Sequence, residues 1–565
     1  MNVLFLFLIA VAVFAVAYLA YGRLLTRAFE LDDSRTTPAV LVNDGGDFVP
    51  AKAPYLLAQH FSAIAAAGPI VGPILAGLWF GWLPAFLWIV IGAVLVGGVH
   101  DFASLVASIR HKARSIAEVV KEHVSPRAYV LFLSFVWIAL VYVIVAFTDI
   151  TATSFVNDLD LGGGQVSKGA AVASSSLAYL ALAVAMGLCL RRGMGLGKAT
   201  AIFVPLVLVI IAAGRYIPLT LPAIGGMKPV HQWDLVILGY CVVASLIPVW
   251  LLLQPRGYLG GYFLYGTLAA GFLGMLFGGF HVQYPSVLTP VDKPLFPILF
   301  ITIACGACSG FHALVSSGTT SKQLRTESDA RPVGYGGMLL EGAVAVMALA
   351  TVMMLPADPK TTPDKVYAMG LASFLGVFGL PKAVGVSFGL LAFATFVYDT
   401  LDVCTRLGRY VLQELTGLTG KVGAVAATLA TVGVPAWLVT KTLVDPVTQK
   451  EAPAWRVFWN VFGTSNQLLA ALTLTGITVW LFHTARRRWT CLLTGLPSLF
   501  MFAVTLTSLW GFVKKPLAEF AKSREFGVFN VVSSVSALLS VLAVLLLVEA
   551  VVALARASRA RPQVA

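Results

Sequence analysis

Charge is what this sequence has least of. Of its 565 residues only 12% are Asp, Glu, Lys or Arg, against roughly 25% in soluble domains, and that shortage excludes a water-soluble fold of this length. Hydrophobic residues make up 58% and the mean hydropathy is +0.87. Cysteine is also scarce. Cys189, Cys241, Cys305, Cys308, Cys404 and Cys491 all lie in or beside apolar runs, which excludes the disulfide framework of a small secreted module. Cys305-x-x-Cys308 has no second pair and no βαβ setting. There is no Walker motif, so direct drive by ATP has no support, and no His-Glu-x-x-His run, so neither a metal site nor a cofactor is expected. The longest polar stretch, 23–56, is too short for a soluble domain. What remains is an all-α polytopic membrane protein, one transmembrane domain over residues 1–565.

Apolar runs able to cross a bilayer, which takes roughly 20 helical residues, fall at 2–22, 57–80, 82–108, 127–155, 170–190, 199–215, 234–254, 259–280, 296–320, 335–356, 385–411, 422–443, 457–483, 489–513 and 530–555. Residues 366–380 are apolar but short, which points to a re-entrant or interfacial piece. The expectation is therefore about 15 spans plus one re-entrant segment. Arg23 and Arg27 follow the first run rather than precede it, the mark of an uncleaved first helix with its N-terminus outside. The polar connection 23–56, with Asp32, Asp33, Asp44 and Asp47, is expected to dock on the bundle. The net charge of +13 would point to nucleic acid in a soluble protein. Here the basic residues sit in short loops beside apolar spans. With the N-terminus outside and the C-terminus in the cytoplasm, most of the 39 Lys and Arg fall on the inner side, as positive-inside topology requires. The partner this implies is the lipid bilayer, not nucleic acid.

Residues 302–321, TIACGACSGFHALVSSGTTS, make a poor lipid-facing helix. All but five are Gly, Ala, Ser, Thr or Cys. Such a segment belongs inside a bundle, as tight packing or as unwound backbone around a solute. Residues 59–77, QHFSAIAAAGPIVGPILAG, are interrupted twice, at Gly68-Pro69 and Gly72-Pro73. Each proline removes a donor and blocks a carbonyl one turn back, so free backbone groups are expected near 65–72. In the topology above the two interrupted segments run in opposite directions, the arrangement of an inverted repeat.

Three further groups carry ionisable or amide side chains in apolar surroundings. His100-Asp101 reads as a proton relay, or else Asp101 anchors Arg110 or caps a neighbouring helix. Asp399, Asp402 and Arg406 share a helix face at i, i+3 and i+7. Asp402–Arg406 reads as a structural ion pair, while Asp399 lacks a local partner and reads as a proton or cation site. Asn460, Thr464, Ser465, Asn466 and Gln467 either bind a solute or join helices. Asp149 and Glu341 are single buried acids, and His281 reads as interfacial.

These segments resemble hallmark stretches of the carbon starvation protein A (CstA) family: DDSRTTPAVLVNDGGDFVP at 32–50, HFSAIAAAGPIVGPILA at 60–76, ACGACSGFHALVSSGTTSKQ at 304–323, TLDVCTR at 400–406 and FGTSNQLLA at 462–470. Where many members carry paired histidines before the first Gly-Pro, this chain has Gln59-His60. The resemblance implies a bacterial inner-membrane secondary transporter with a broken-helix, inverted-repeat bundle. It also implies import of a peptide or of pyruvate with protons under nutrient stress.

Together these readings give proton-coupled import of a small carboxylate nutrient, pyruvate-like or a short peptide, with Na+ as the other candidate ion. The carboxylate would be held around Gly68, Pro69, Gly72, Gly306 and Gly310 and oriented by Ser309, His312, Ser316, Ser317, Asn466 and Gln467. Asp399 would carry the coupling proton, with Asp402, His60 and Asp101 as further candidates. The alternatives are a membrane-embedded sensor, or an enzyme using His100 and Asp101.

Overall fold

Long runs of Leu, Val, Ala and Ile satisfy their backbone polar groups in hydrocarbon only by closing into helices, and this chain does so nearly throughout. The computed structural model describes residues 1–44, 48–65, 67–162, 165–214, 216–222, 224–248, 250–290, 293–441, 443–444, 451–523 and 530–560. Among these, thirteen helices are long and apolar enough to cross a membrane, or fourteen with one bent pair counted as a single span.

Two of the expected spans are not single helices, and both were marked by small residues and glycine. Residues 57–80 form Ala53–Ile64 and Gly68–Phe80, which meet at 51°. Pro69 starts the second piece, where its missing N–H costs nothing. Residues 296–320 divide into Leu295–Thr302, an irregular stretch, Phe311–Val315 and a π-helical turn at Ser316–Thr320. None of these pieces is long enough to be counted as a span, which is why fourteen stand where about fifteen were expected. Gly306, at φ +81°, turns the backbone inside this break, in the left-handed region that glycine enters without strain.

The two broken segments cross each other in close contact. A Cβ on Gly68 would lie 2.4 Å from Cys305 Cβ, and one on Gly72 would lie 2.5 Å from the Thr302 carbonyl oxygen. The small residues are therefore what lets the two backbones approach. Around this crossing the Gly336–Met353 helix packs on Gly68–Phe80. The Ala454–Thr484 helix packs on Thr490–Ser523 and Pro126–Val156, and Lys382–Thr416 packs on Pro363–Gly376 and Pro126–Val156. The short run expected at 366–380 is the 14-residue helix Pro363–Gly376, mostly buried, followed by an exposed turn at 377–380.

The first span, Val3–Ala28, continues through Arg23 and Arg27. The described part of the connection after it lies along residues 323–328. The Thr37 hydroxyl donates to the Leu324 carbonyl at 2.7 Å, and the Ala51 amide donates to the Gln323 carbonyl at 2.9 Å. Asp33 accepts from the Ser328 amide and hydroxyl. Asp47 lies outside the described residues.

Candidate functional site

The interior of the bundle holds a connected set of ionisable groups where the two broken segments cross. His312 follows the break in the second segment and is fully buried. Its Nδ1 lies 2.7 Å from Asp101 Oδ2, and its Nε2 lies 3.1 Å from Glu341 Oε2. The first contact is a hydrogen bond. The second is within ion-pair distance but not aligned as a hydrogen bond. The other oxygen of Asp101 meets His100 Nδ1 at 2.8 Å, and the other oxygen of Glu341 accepts the Gly306 amide at 3.0 Å. Two imidazoles and two carboxylates thus form one chain, His100–Asp101–His312–Glu341, ending on backbone at the break. All four side chains are fully buried. Uncompensated charges at this depth are costly, so the members hold one another, and the run of ring nitrogens and carboxylate oxygens offers a path for a proton.

Asn466 closes the opposite side. Its Oδ1 accepts the Phe311 amide at 3.0 Å, its Nδ2 donates to Ser309 Oγ at 3.0 Å, and its carbonyl accepts the Gly310 amide at 3.0 Å. The Asn466 side chain also reaches Cys305 Sγ at 3.4 Å. A Cβ at Gly310 would fall 2.4 Å from the Asn466 carbonyl oxygen, so the helix carrying Asn466 lies directly on the broken segment. Among the described residues, several amides at the two breaks are donated within the protein in this conformation: Gly306 to Glu341, Gly310 and Phe311 to Asn466, and Ile70 and Val71 to the Ala67 carbonyl.

The other predicted residues are placed as follows. Ser317 donates back to the Ala313 carbonyl at 2.7 Å. Ser316 Oγ is buried with no hydrogen-bond partner among the described residues. Gln467 donates to the Phe300 carbonyl at 2.6 Å while its Oε1 has no such partner. His60 Nδ1 meets Thr320 Oγ1 at 2.9 Å, and its Nε2 is buried without a hydrogen bond. His60 lines a cavity of about 70 Å³ together with Thr319, Thr320 and Arg256. Asp399 belongs to the Lys382–Thr416 helix, but its side chain lies outside the described residues.

The structure replaces the expected Asp402–Arg406 pair. Asp402 is joined to Arg256, which is 1% exposed, and it accepts a hydrogen bond from the Tyr240 hydroxyl at 2.8 Å. Arg406 donates instead to the carbonyls of Ala244 and Ile247, at 2.6 and 2.7 Å. The i, i+4 spacing allowed the local pair. A guanidinium one turn along met the last carbonyls of the Pro229–Leu246 helix instead, groups that a helix end leaves unsatisfied. Asp149 accepts the Trp455 amide at 2.7 Å at the start of the Ala454–Thr484 helix, which is the role of an N-terminal cap. His281 pairs through its backbone with Asn2.

With this geometry in place, the comparisons with known proteins agree among themselves. The family model for "Carbon starvation protein CstA" matches residues 2–360 and 356–508. The chain belongs to that family. A peptide transporter CstA of Escherichia coli is 32% identical over 90% of this chain and 81% of the relative. A peptide transporter CstA of Helicobacter pylori and the pyruvate/proton symporter BtsT of Escherichia coli are each 31% identical over the same shares. A solved manganese transporter of Eremococcus coleocola aligns over 91% of this chain and 99% of its own, at 14% identity and a TM-score of 0.48, too remote a likeness to argue from.

Within this CstA-family chain, sequence reasoning undervalued two residues. Glu341 was marked only as a single buried acid; nothing local says that it reaches across to Gly306 and His312. Arg256 fell in the short loop between the expected spans 234–254 and 259–280. In fact Pro255 sits in the first turn of the Leu253–Gly278 helix, where proline is tolerated, and the arginine goes inside.

Proposed function

We propose that this CstA-family protein is a secondary active transporter that imports a small carboxylate nutrient, pyruvate-like or a short peptide, coupled to protons. The printed functions of its relatives, peptide transport and pyruvate/proton symport, support the class of substrate. The observation that carries the coupling is the position of Glu341, whose carboxylate holds the Gly306 amide and meets His312. A carboxylate substrate competes for the same kind of donor. A proton passed from Asp101 through His312 to Glu341 weakens Glu341 as an acceptor and releases the Gly306 amide for the substrate. Ser309, Ser316, Ser317, Asn466 and Gln467, with the backbone around Gly68, Pro69, Gly72 and Gly310, orient the incoming solute. His60 lies on the cavity side of the same region. Asp399 and Asp402 remain candidates for a second protonation or for binding a peptide's amino end.

We place the protein in the bacterial inner membrane with the N-terminus outside and the C-terminus in the cytoplasm. The arrangement of basic residues supports this. Arg27, Arg35, Arg486 and Arg487 surround one cavity, and Arg110 joins Glu327 beside it, so the positive loops gather at one end of the bundle as an inner face requires.

The test is uptake of labelled pyruvate and of a labelled dipeptide into proteoliposomes, with proton and Na+ gradients imposed separately. Accumulation of either solute driven by inward protons is expected. Uptake driven by Na+ alone, or no gradient-driven uptake of either solute, overturns this reading.

A further inference from the structure

Away from the buried site, at the end of the bundle where the basic loops gather, two histidines point their ring nitrogens at each other. His111 Nε2 and His123 Nε2 are 2.8 Å apart. His111 ends the Trp82–Arg110 span, and His123 ends the short helix Ile116–His123. The tautomer of His111 is set by its other nitrogen. Nδ1 lies 2.6 Å from the Ala107 carbonyl oxygen, which only accepts, so Nδ1 carries the hydrogen. The neutral ring then directs the lone pair of Nε2 at His123. An imidazole whose far nitrogen is tied to a backbone carbonyl, with its near nitrogen bare, has the outer support usual for a metal ligand.

A carboxylate completes the set. One ligand atom from each of His111, Glu122 and His123 falls within 4.8 Å of the other two, and the Glu122 carboxylate is 3.9 Å from His123 Nε2. His483 adds a third ring, with its centroid 6.1 Å from that of His123, and Trp480 packs edge-on against His111 at 5.5 Å. The three ligand residues line a cavity of about 610 Å³ that opens outward and supplies a route for entry. The nearby cations have anionic partners: Arg110 with Glu327 at 3.0 Å and Arg114 with Glu118 at 3.7 Å. Lys112 also lines the cavity.

We propose that His111, Glu122 and His123 form a binding site for a divalent transition-metal ion of the zinc class. Two imidazoles and a carboxylate suit zinc, cobalt or nickel better than magnesium or calcium, which prefer all-oxygen sets. The fourth position falls to water or to His483. Two nitrogens bound to one tetrahedral zinc stand about 3.3 Å apart, so the rings separate by about half an ångström on loading. The site differs from the proton chain at Asp101, and its ligands are spread over a turn and a short helix. That spread is why no metal motif shows in the sequence. An ion there ties the end of the span carrying Asp101 to the short helix that follows it, beside the end of the helix carrying Asn466.

The test uses full-length, tag-free protein in detergent, stripped with EDTA and titrated with Co2+. One equivalent should give the visible absorption of a four-coordinate Co2+ site with nitrogen and oxygen ligands, displaceable by Zn2+, and Zn2+ should raise the melting temperature. His123→Gln and His111→Gln should each weaken Co2+ binding at least 100-fold, and Glu122→Gln about 10-fold, with gel-filtration profiles unchanged. Absence of that spectrum overturns the proposal, as does a spectrum unaffected by the histidine substitutions; the pair is then a simple N–H···N hydrogen bond. If the histidine variants do not fold, Glu122→Gln decides. Glu122 is exposed, so its replacement leaves the fold intact, and unchanged Co2+ affinity in that variant overturns the site.

Discussion

Glu341 and Gly306 are joined by a single hydrogen bond, from the Gly306 amide to Glu341 Oε1 at 3.0 Å. The bond links the unbroken Gly336–Met353 helix to the point where the second broken segment turns through a left-handed conformation. A buried acid therefore holds a piece of unwound backbone. Whatever changes the acid's charge changes how firmly that backbone is held.

Replacing Gly306 with alanine tests the turn. At φ +81° a side chain is strained by about 1–3 kcal/mol, and the new Cβ would also lie 2.7 Å from Ala345 Cβ. Gly306→Ala should lower the melting temperature in detergent. Adding Ala345→Gly should recover the part due to the clash and leave the part due to the backbone. Wild-type stability in the single variant would show that the turn is not held in this conformation.

Glu341→Gln keeps a carbonyl oxygen for the Gly306 amide but cannot take a proton. Proton-driven uptake should fall about 100-fold, the scale of a lost positioned proton-transfer group, and its dependence on external pH should flatten. The melting temperature should change little. Uptake at the wild-type rate with an unchanged pH profile would remove Glu341 from the coupling pathway.

Breaking the Arg256–Asp402 pair should be far worse than removing it. Arg256→Met alone leaves the Asp402 carboxylate buried without its guanidinium and should cost about 3–5 kcal/mol. Arg256→Met with Asp402→Leu should restore much of that loss. Thermal unfolding of the two single variants and the double variant measures the cycle. A double-variant loss equal to the sum of the two single losses would mean that the two side chains act independently.

Asp399→Asn separates two coupling schemes. If protons enter through Asp399, its uptake and pH dependence should collapse together. If the chain from Asp101 to Glu341 suffices, uptake in Asp399→Asn should stay near wild type while His312→Gln abolishes it. Transport at the wild-type rate with unchanged pH dependence in both variants would exclude each scheme.

Much of the architecture was legible in the chain because membrane helices declare themselves locally. A bilayer leaves backbone groups no water to bond with, so each apolar run of adequate length becomes a helix whatever its neighbours do. Gly68-Pro69 and the small residues from 302 to 321 likewise announced the breaks, since proline and glycine act on their own backbone. The candidate site was legible only in part. His312, Ser309, Asn466 and Asp101 were each picked out as polar groups in apolar spans, and the structure brings them together. The pairing of Asp402 with Arg406 was inferred from helical spacing and proved to be a pairing with Arg256, 146 residues away in sequence. Spacing lists which partners are within reach on one helix but says nothing of those arriving from another.

The sequence alone settled the class of protein, the places where helices must run and where they must break, and the family. Composition, proline and glycine act within a few residues of themselves, so no knowledge of the fold is needed to read them. Only the tertiary structure decided that His312 stands between Asp101 and Glu341, that Asn466 takes up the amides beyond the break, and that His111 faces His123. Each of these contacts joins groups from elements distant along the chain or separated by a turn. At the break, Gly68, Gly72 and Gly310 leave room for the backbones to approach, which is how Asn466 reaches the broken segment; the His111–His123 contact forms apart from it, where a turn brings a short helix back against the end of its span.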